Sequence, residues 1–370
     1  MRLTLIPLLV FFAIAAQGAS PEPKPIWKTD VKRFGYESFP SVAFSDNGHI
    51  VIGWIAPDVT KNNKHTSPRW GDAAHVHVVV TDVRTGQTQG EKEWPTKFAW
   101  SAPQLAGTTD GRFLLCTDDT VRVLSLMLDT VQEKQFSAHS RCHLSPSGRT
   151  LLVSTLSEHS RDMQLLDTET FKVLTSWTEQ LAGSATVAIS DHWLLGSCGK
   201  PAELCIRRLN EGWRPLHVTG QETRVIPGGR ILASFVNDET IGIVGKTLTL
   251  ANVDGAVLFR ISPVDKRSFG DSPVPSSSGE SFVVIEGRMR GAQNDVLDMY
   301  PFYATDNVTV FGTDNERPFI SLNLKGTSPW APWHPVHNVA ALSPDGRSLA
   351  LISDGVLEVF AIPSRSTETP

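Results

Sequence analysis

One short pattern is written again and again along this 370-residue chain. It reads as an apolar strand, a tight polar turn, and a second apolar strand. The clearest copy runs Val339-Ala-Ala-Leu-Ser343-Pro-Asp-Gly346-Arg-Ser-Leu-Ala-Leu-Ile-Ser-Asp354-Gly-Val-Leu-Glu-Val-Phe-Ala-Ile362. Pro presets the first φ angle of the turn, Asp bonds back to the backbone, and Gly takes the positive φ. The Asp354-Gly355 break between apolar runs is a strong hairpin signal. Further copies are Val42-Ala-Phe-Ser45-Asp-Asn-Gly48, Gln104-Leu-Ala-Gly-Thr-Thr-Asp110-Gly111 and Cys142-His-Leu-Ser145-Pro-Ser-Gly148. Val187-Ala-Ile-Ser190-Asp191-His-Trp193, Arg224-Val-Ile-Pro-Gly-Gly229 and Pro275-Ser-Ser-Ser-Gly279 complete the set.

Seven copies place turn anchors near Gly48, Gly111, Gly148, Asp191, Gly229, Gly279 and Gly346, with gaps of 37 to 67 residues. A four-stranded propeller blade takes about 40 to 50 residues, so the longer gaps hold loop insertions. No segment shows a helical period with caps. The pattern predicts an all-β chain folded as a seven-bladed β-propeller. After Gly346 there is room for only two more strands, so the last blade lacks its outer strand. The segment Pro25-Ile-Trp-Lys-Thr-Asp-Val-Lys-Arg33 is expected to supply it, closing the ring and hiding the open edges.

Ser-Pro-Asp-Gly-Arg followed by an apolar strand, with the Asp-Gly-Val-Leu-Glu-Val-Phe strand after it, resembles secreted bacterial β-propellers of the WD-repeat-like and YVTN type. The resemblance covers essentially all of residues 19–370 and concerns turn and core residues, so it implies architecture and not chemistry. The chain departs from eukaryotic WD repeats in lacking regular Gly-His and Trp-Asp dipeptides. It also lacks the sialidase-type box and periodic Gly-Gly pairs of kelch repeats.

Met1-Arg2, an apolar run from Leu3 to Ala16 and the small residues Gly18-Ala19-Ser20 have the form of a secretory signal peptide, residues 1–18, cut within two residues of Gly18. Residues 19–370 are then a single propeller domain, secreted or periplasmic, with no membrane span after cleavage. Lys+Arg 34 against Asp+Glu 39, with no basic run, argues against nucleic acid as a partner. Hydrophobic residues at 40% argue against a disordered chain. In an oxidising compartment the four cysteines are disulfide candidates. Cys198 and Cys205 bracket a turn and lie opposite each other if it forms a hairpin; Cys116 and Cys142 fall in separate repeats.

Chemistry on this fold resides in loops. The richest is Ser328-Pro-Trp330-Ala-Pro-Trp333-His334-Pro-Val-His337, readable as aromatic platforms for a ligand or as a plug of the channel. A second, Asp58 to His77, carries Arg69 and Trp70, and ends on His75 and His77. These two histidines share one strand face and are candidate metal ligands or an exposed strand face. A third, Glu286 to Tyr300, reads as a solvated insertion. No nucleophile elbow, zinc helix, phosphate loop or dinucleotide fingerprint occurs, so no catalytic residue and no cofactor are expected. The leading expectation is a monomeric, exported, non-catalytic binding or scaffold propeller presenting Trp330, Trp333, His334, His337, Arg69 and Trp70 to a protein or small ligand. The alternatives are a metal-dependent propeller hydrolase or lactonase with channel-facing carboxylates and histidines, and a propeller subunit of a redox complex.

Overall fold

The computed structural model describes residues 23–31, 40–58, 72–97, 103–117, 119–137, 140–180, 185–198, 203–220, 225–226, 230–264, 267–270, 272–290, 302–324, 340–353 and 355–364. Among these there is no helix. After β1 (Trp27–Asp30), blade 1 comprises β2 (Ser41–Phe44), β3 (His49–Pro57), β4 (Ala73–Asp82) and β5 (Thr88–Lys97). Blade 2 is β6 (Gln104–Gly107), β7 (Phe113–Cys116), β8 (Thr120–Leu124) and β9 (Thr130–Gln135). Blade 3 is β10 (Ser140–Leu144), β11 (Thr150–Leu156), β12 (Ser160–Asp167) and β13 (Val173–Gln180). Blade 4 is β14 (Ala185–Ile189), β15 (Trp193–Ser197), β16 (Leu204–Arg208) and β17 (Arg214–Pro215). A separate small hairpin, β18 (Val225–Ile226) and β19 (Arg230–Ile231), precedes blade 5. Blade 5 is β20 (Ala233–Phe235), β21 (Thr240–Val244), β22 (Leu248–Asn252) and β23 (Val257–Ile261). In blade 6 the inner position is split between β24 (Ser268–Phe269) and β25 (Val274–Pro275), followed by β26 (Ser281–Arg290), β27 (Phe302–Gly312) and β28 (Pro318–Asn323). Blade 7 is β29 (Ala340–Leu342), β30 (Ser348–Ser353) and β31 (Val356–Ala361), with β1 as its outer strand.

The ring closes as the strand count required. Trp27 pairs Val359, Lys28 pairs Glu358, Thr29 pairs Leu357 and Asp30 pairs Val356. Ile26 N–H donates to the Val359 carbonyl at 2.6 Å and Val31 N–H to that of Gly355 at 2.7 Å. Trp27 then reaches across to blade 1, where its indole N–H donates to the Val83 carbonyl at 2.5 Å.

The repeated turn does what its residues dictate. At Ser343–Gly346 the Gly346 N–H donates to the Ser343 carbonyl at 2.8 Å, and Gly346 has φ 68°. The Asp345 carboxylate accepts from Arg347 N–H at 3.0 Å, and the Ser343 hydroxyl oxygen accepts from Ser348 N–H at 2.9 Å. The leading Ser therefore caps the second strand while Asp caps the turn. Ser145 and Ser276 repeat the arrangement, accepting from Thr150 N–H and Ser281 N–H.

Two expectations are corrected. The turn of blade 5 lies between β20 and β21, at Val236 to Glu239, and not at Gly229, which falls outside the described residues. The apolar Val-Ile and Arg-Ile-Leu flanks that pointed to Gly229 instead bracket the small β18–β19 hairpin. Glu286 to Arg290, read as the start of a solvated insertion, belongs to β26, and Glu286 is 1% exposed. Mixed charge misled there because the strand buries its acid among hydrogen-bond donors.

The core is distributed over seven interblade clusters, one at each junction. Phe44, Ile52, Trp54 and Val79 of blade 1 meet Ile352, Leu357 and Val359 of blade 7. Blades 1 and 2 meet through Val51, Val78, Phe113 and Leu124, and blades 2 and 3 through Leu114, Cys116, Cys142 and Val153. Leu152, Leu165 and Leu194 join blades 3 and 4; Leu195, Ile206, Phe235 and Ile243 join 4 and 5. Val244, Leu250, Phe282 and Val284 join 5 and 6; Val283, Val308, Leu349 and Phe360 join 6 and 7. The second strand of each blade is apolar on both faces because both faces meet a neighbour, the pattern of sheets covered on both sides.

Candidate functional site

The two ends of the ring differ. On one face lie the thirteen connections that follow the inner and third strands, each of three to five residues. These turns clasp one another around the ring. The Ser147 hydroxyl donates to Asp191 at 2.7 Å, and His192 N–H donates to Asp238 at 3.1 Å. The Asn237 amide donates to the Gly279 carbonyl at 3.3 Å, Ser278 N–H to that of Pro344 at 3.2 Å, and Asp345 N–H to the Asn47 side-chain oxygen at 3.0 Å. Between blades 1 and 2 the backbones themselves touch: a Cβ at Gly107 would overlap the Phe44 carbonyl oxygen. Burial opposes ionisation of Asp238, but hydrogen bonds from His192 and Ser190 outweigh it and lower its pKa.

On the opposite face the connections range from two residues to seventeen. Four long ones belong to three consecutive blades: 291–301 between β26 and β27 of blade 6, 324–339 from blade 6 into β29 of blade 7, 31–40 from blade 7 into β2 of blade 1, and 58–72 between β3 and β4 of blade 1. A fifth, 216–232, holds the small β18–β19 hairpin between blades 4 and 5. Trp330, Trp333, His334 and His337 belong to 324–339 and Arg69 and Trp70 to 58–72; all six lie outside the described residues. The strand ends that these segments join lie in blades 1, 6 and 7.

His75 and His77 stand near one of these strand ends, on the face of β4 turned toward blade 7. His77 stacks on Trp54 of β3, ring centroids 5.1 Å apart and planes 4° from parallel. Its Nδ1 lies 3.3 Å from Glu93 Oε2, and His75 Nδ1 lies 2.7 Å from Asp58 Oδ1. Each imidazole thus has its own carboxylate, and the two do not converge on a common point with a third ligand. Among the described residues no three His, Cys, Asp or Glu side chains gather as a metal site. The residues that sequence reasoning missed are Trp54 and Glu93. Only the register Trp54–His77–Glu93 across three strands brings them together.

The Cys198–Cys205 disulfide also sits on this face, joining the ends of β15 and β16 with Cα atoms 5.7 Å apart. Between blades 5 and 6, burial raises the pKa of Glu286. The Val264 N–H, the Asn307 amide and the charge of Arg267 hold its ionised form only in part. Asn307, first residue of the sequon-like Asn307-Val-Thr309, is itself buried and donates to Thr309 at 2.8 Å.

These features define a seven-bladed β-propeller of WD-repeat-like architecture, with a tied face and a looped face. No family model matches the chain, and no curated protein sequence matches it. Among solved structures it is similar to a chain of the mitotic checkpoint complex, at 12% identity and TM-score 0.52, over 97% of this chain and 99% of that one. It is also similar to the Dos1 propeller (11% identity, TM-score 0.48, 94% and 96% covered) and to BamB from Moraxella catarrhalis (14%, 0.39, 92% and 99%). At such identities the likeness concerns the fold. No helix among the described residues is long and apolar enough to cross a membrane.

Proposed function

We propose that this chain is an exported, monomeric, non-catalytic binding or scaffold propeller, secreted or periplasmic after removal of residues 1–18. Its looped face, in the sector of blades 6, 7 and 1, receives a protein or small ligand. One observation carries the reading: every connection on the tied face is minimal, while four of the five long connections of the other face belong to blades 6, 7 and 1. Selection for closure alone does not require that asymmetry. A rigid ring offering variable loops is the usual way such scaffolds bind. In this reading Trp330 and Trp333 supply flat apolar area, His334, His337, Arg69 and Trp70 supply hydrogen bonds and charge, and the Trp54–His77 stack is the floor. The leader and the Cys198–Cys205 bridge support export.

The test uses the tagged chain recovered from its producing cells after chemical crosslinking. The expected result is a partner captured by the native chain and by a variant altered on the tied face (D110N), and lost when Trp330, Trp333 and Trp70 are changed to Ala. Equal capture by the looped-face variant, or turnover of a substrate by the purified protein, overturns the reading. Intact mass spectrometry checks the amino terminus, expected within two residues of Ala19.

A further inference from the structure

Cys116 and Cys142 are the two cysteines that the Cys198–Cys205 bridge does not use. They lie at the boundary of blades 2 and 3, each 5% exposed and both in the apolar cluster that joins those blades. Two contacts, both through Gln104, relate their positions. Gln104 of β6 is the cross-strand partner of Cys116 in β7. The side-chain oxygen of that same Gln104 accepts from Cys142 N–H at 3.1 Å. Both are free thiols here, and the neighbouring Cys142 thiol bears on that of Cys116. The blade 2–3 junction is also crossed by the Gln132 amide, which donates to the Glu169 carbonyl at 2.8 Å, and by close packing of Gly148 against the Gly107 carbonyl.

We propose that Cys116 and Cys142 are a second disulfide site, which bolts blade 2 to blade 3 in the exported protein. This rests on the export reading, because the bond needs an oxidising compartment. The oxidant is a disulfide donor from outside the chain, of which oxidised glutathione is the simplest case. One cysteine thiolate attacks a sulfur of oxidised glutathione and expels one glutathione thiolate. The other cysteine thiolate attacks the resulting mixed disulfide and expels the second. Two protons and two electrons leave the protein and end on two glutathione thiols. Burial first, then the neighbouring Cys142 thiol, push the Cys116 pKa well up. The folded pair is therefore a poor nucleophile, and the bond is made while the two blades are still coming together.

Peptide mapping tests this directly. The chain recovered from a bacterial periplasm is denatured with an alkylating agent and no reductant, then cut with trypsin. The expected product is Phe113–Arg122 joined to Cys142–Arg149, while Cys198 and Cys205 remain within one peptide. Alkylated Cys116 and Cys142 beside an intact Cys198–Cys205 bridge overturn the proposal and leave export standing. If all four are alkylated, the export reading fails instead. The purified chain is then refolded in mixed reduced and oxidised glutathione, where joined peptides support the pair and alkylated ones reject it. Reductant should lower the melting temperature of the native chain about 5 °C more than that of the C116S/C142S double variant, from the entropy of the loop closed by the bond. An equal drop in both also rejects it.

Discussion

Replacing Trp27 by Ala removes the side chain that locks the ring shut. Trp27 is half-buried in the cluster between blades 7 and 1, packs against the turn at Gly86, and donates its indole N–H to the Val83 carbonyl. Truncation uncovers about 100 Å² of apolar surface, roughly half of what a Trp can bury. At about 25 cal/mol per Å² that is about 2.5 kcal/mol. Loss of the indole bond adds about 1 kcal/mol. For a propeller of this size the unfolding entropy is about 0.7 kcal/mol per degree, so about 3.5 kcal/mol lowers the melting temperature by about 5 °C. Trp27→Phe keeps the ring but not the N–H, and should lose only about 1 kcal/mol. Deleting residues 21–33 removes the whole strand and should cost much more than either. Differential scanning calorimetry reads all three. A W27A melting temperature within a degree of the native one, or a deletion that leaves it unchanged, would refute closure by β1.

Glu286 has a pKa raised above 4.5 in the folded protein, so the folded state holds its proton where the unfolded chain has released it. Stability from this group is present at low pH and declines as pH rises through the raised value; E286Q should flatten that decline in urea titrations between pH 4 and 8, and an unchanged slope would count against it. Asp110 runs the other way, held at about 2 chiefly by the Arg112 side chain, against 3.8 normally. Its contribution is present above about 4 and lost as pH falls toward 2; because the pair is largely exposed, D110N should cost less than about 1 kcal/mol at neutral pH in the same titrations. Gly107→Ala should destabilise by about 2 kcal/mol or more through overlap with the Phe44 carbonyl, whereas Gly212→Ala, with open space around it, should change the denaturation midpoint little.

The repeated turn was legible because it is a local affair: Ser, Asp and Gly satisfy the backbone within five residues of themselves. Closure was legible by counting strands after Gly346. Gly229 misled because a Pro-Gly-Gly turn between apolar residues satisfies the same local rules in a stray hairpin as in a blade. Asn237 and Asp238, the real turn of blade 5, lack the Gly; Asn237 accepts from Glu239 and Thr240 N–H within its own turn, and the pair also bonds to neighbouring blades at Gly279 and His192. Glu286 looked solvated because its donors come from Val264 and Asn307, far along the chain. His75 and His77 alternate along β4 and so share one face. Their carboxylates and the Trp54 stack depend on strand register, which periodicity does not specify.

The pairing of Trp27–Asp30 with Val356–Val359 has a further consequence for how the chain is made. β1 is synthesised more than 300 residues ahead of β31 and has no partner until that strand emerges. Whether it leaves a ribosome or threads a secretion pore, the ring must wait as an unlatched arc, the edge of β1 bare, until β31 arrives.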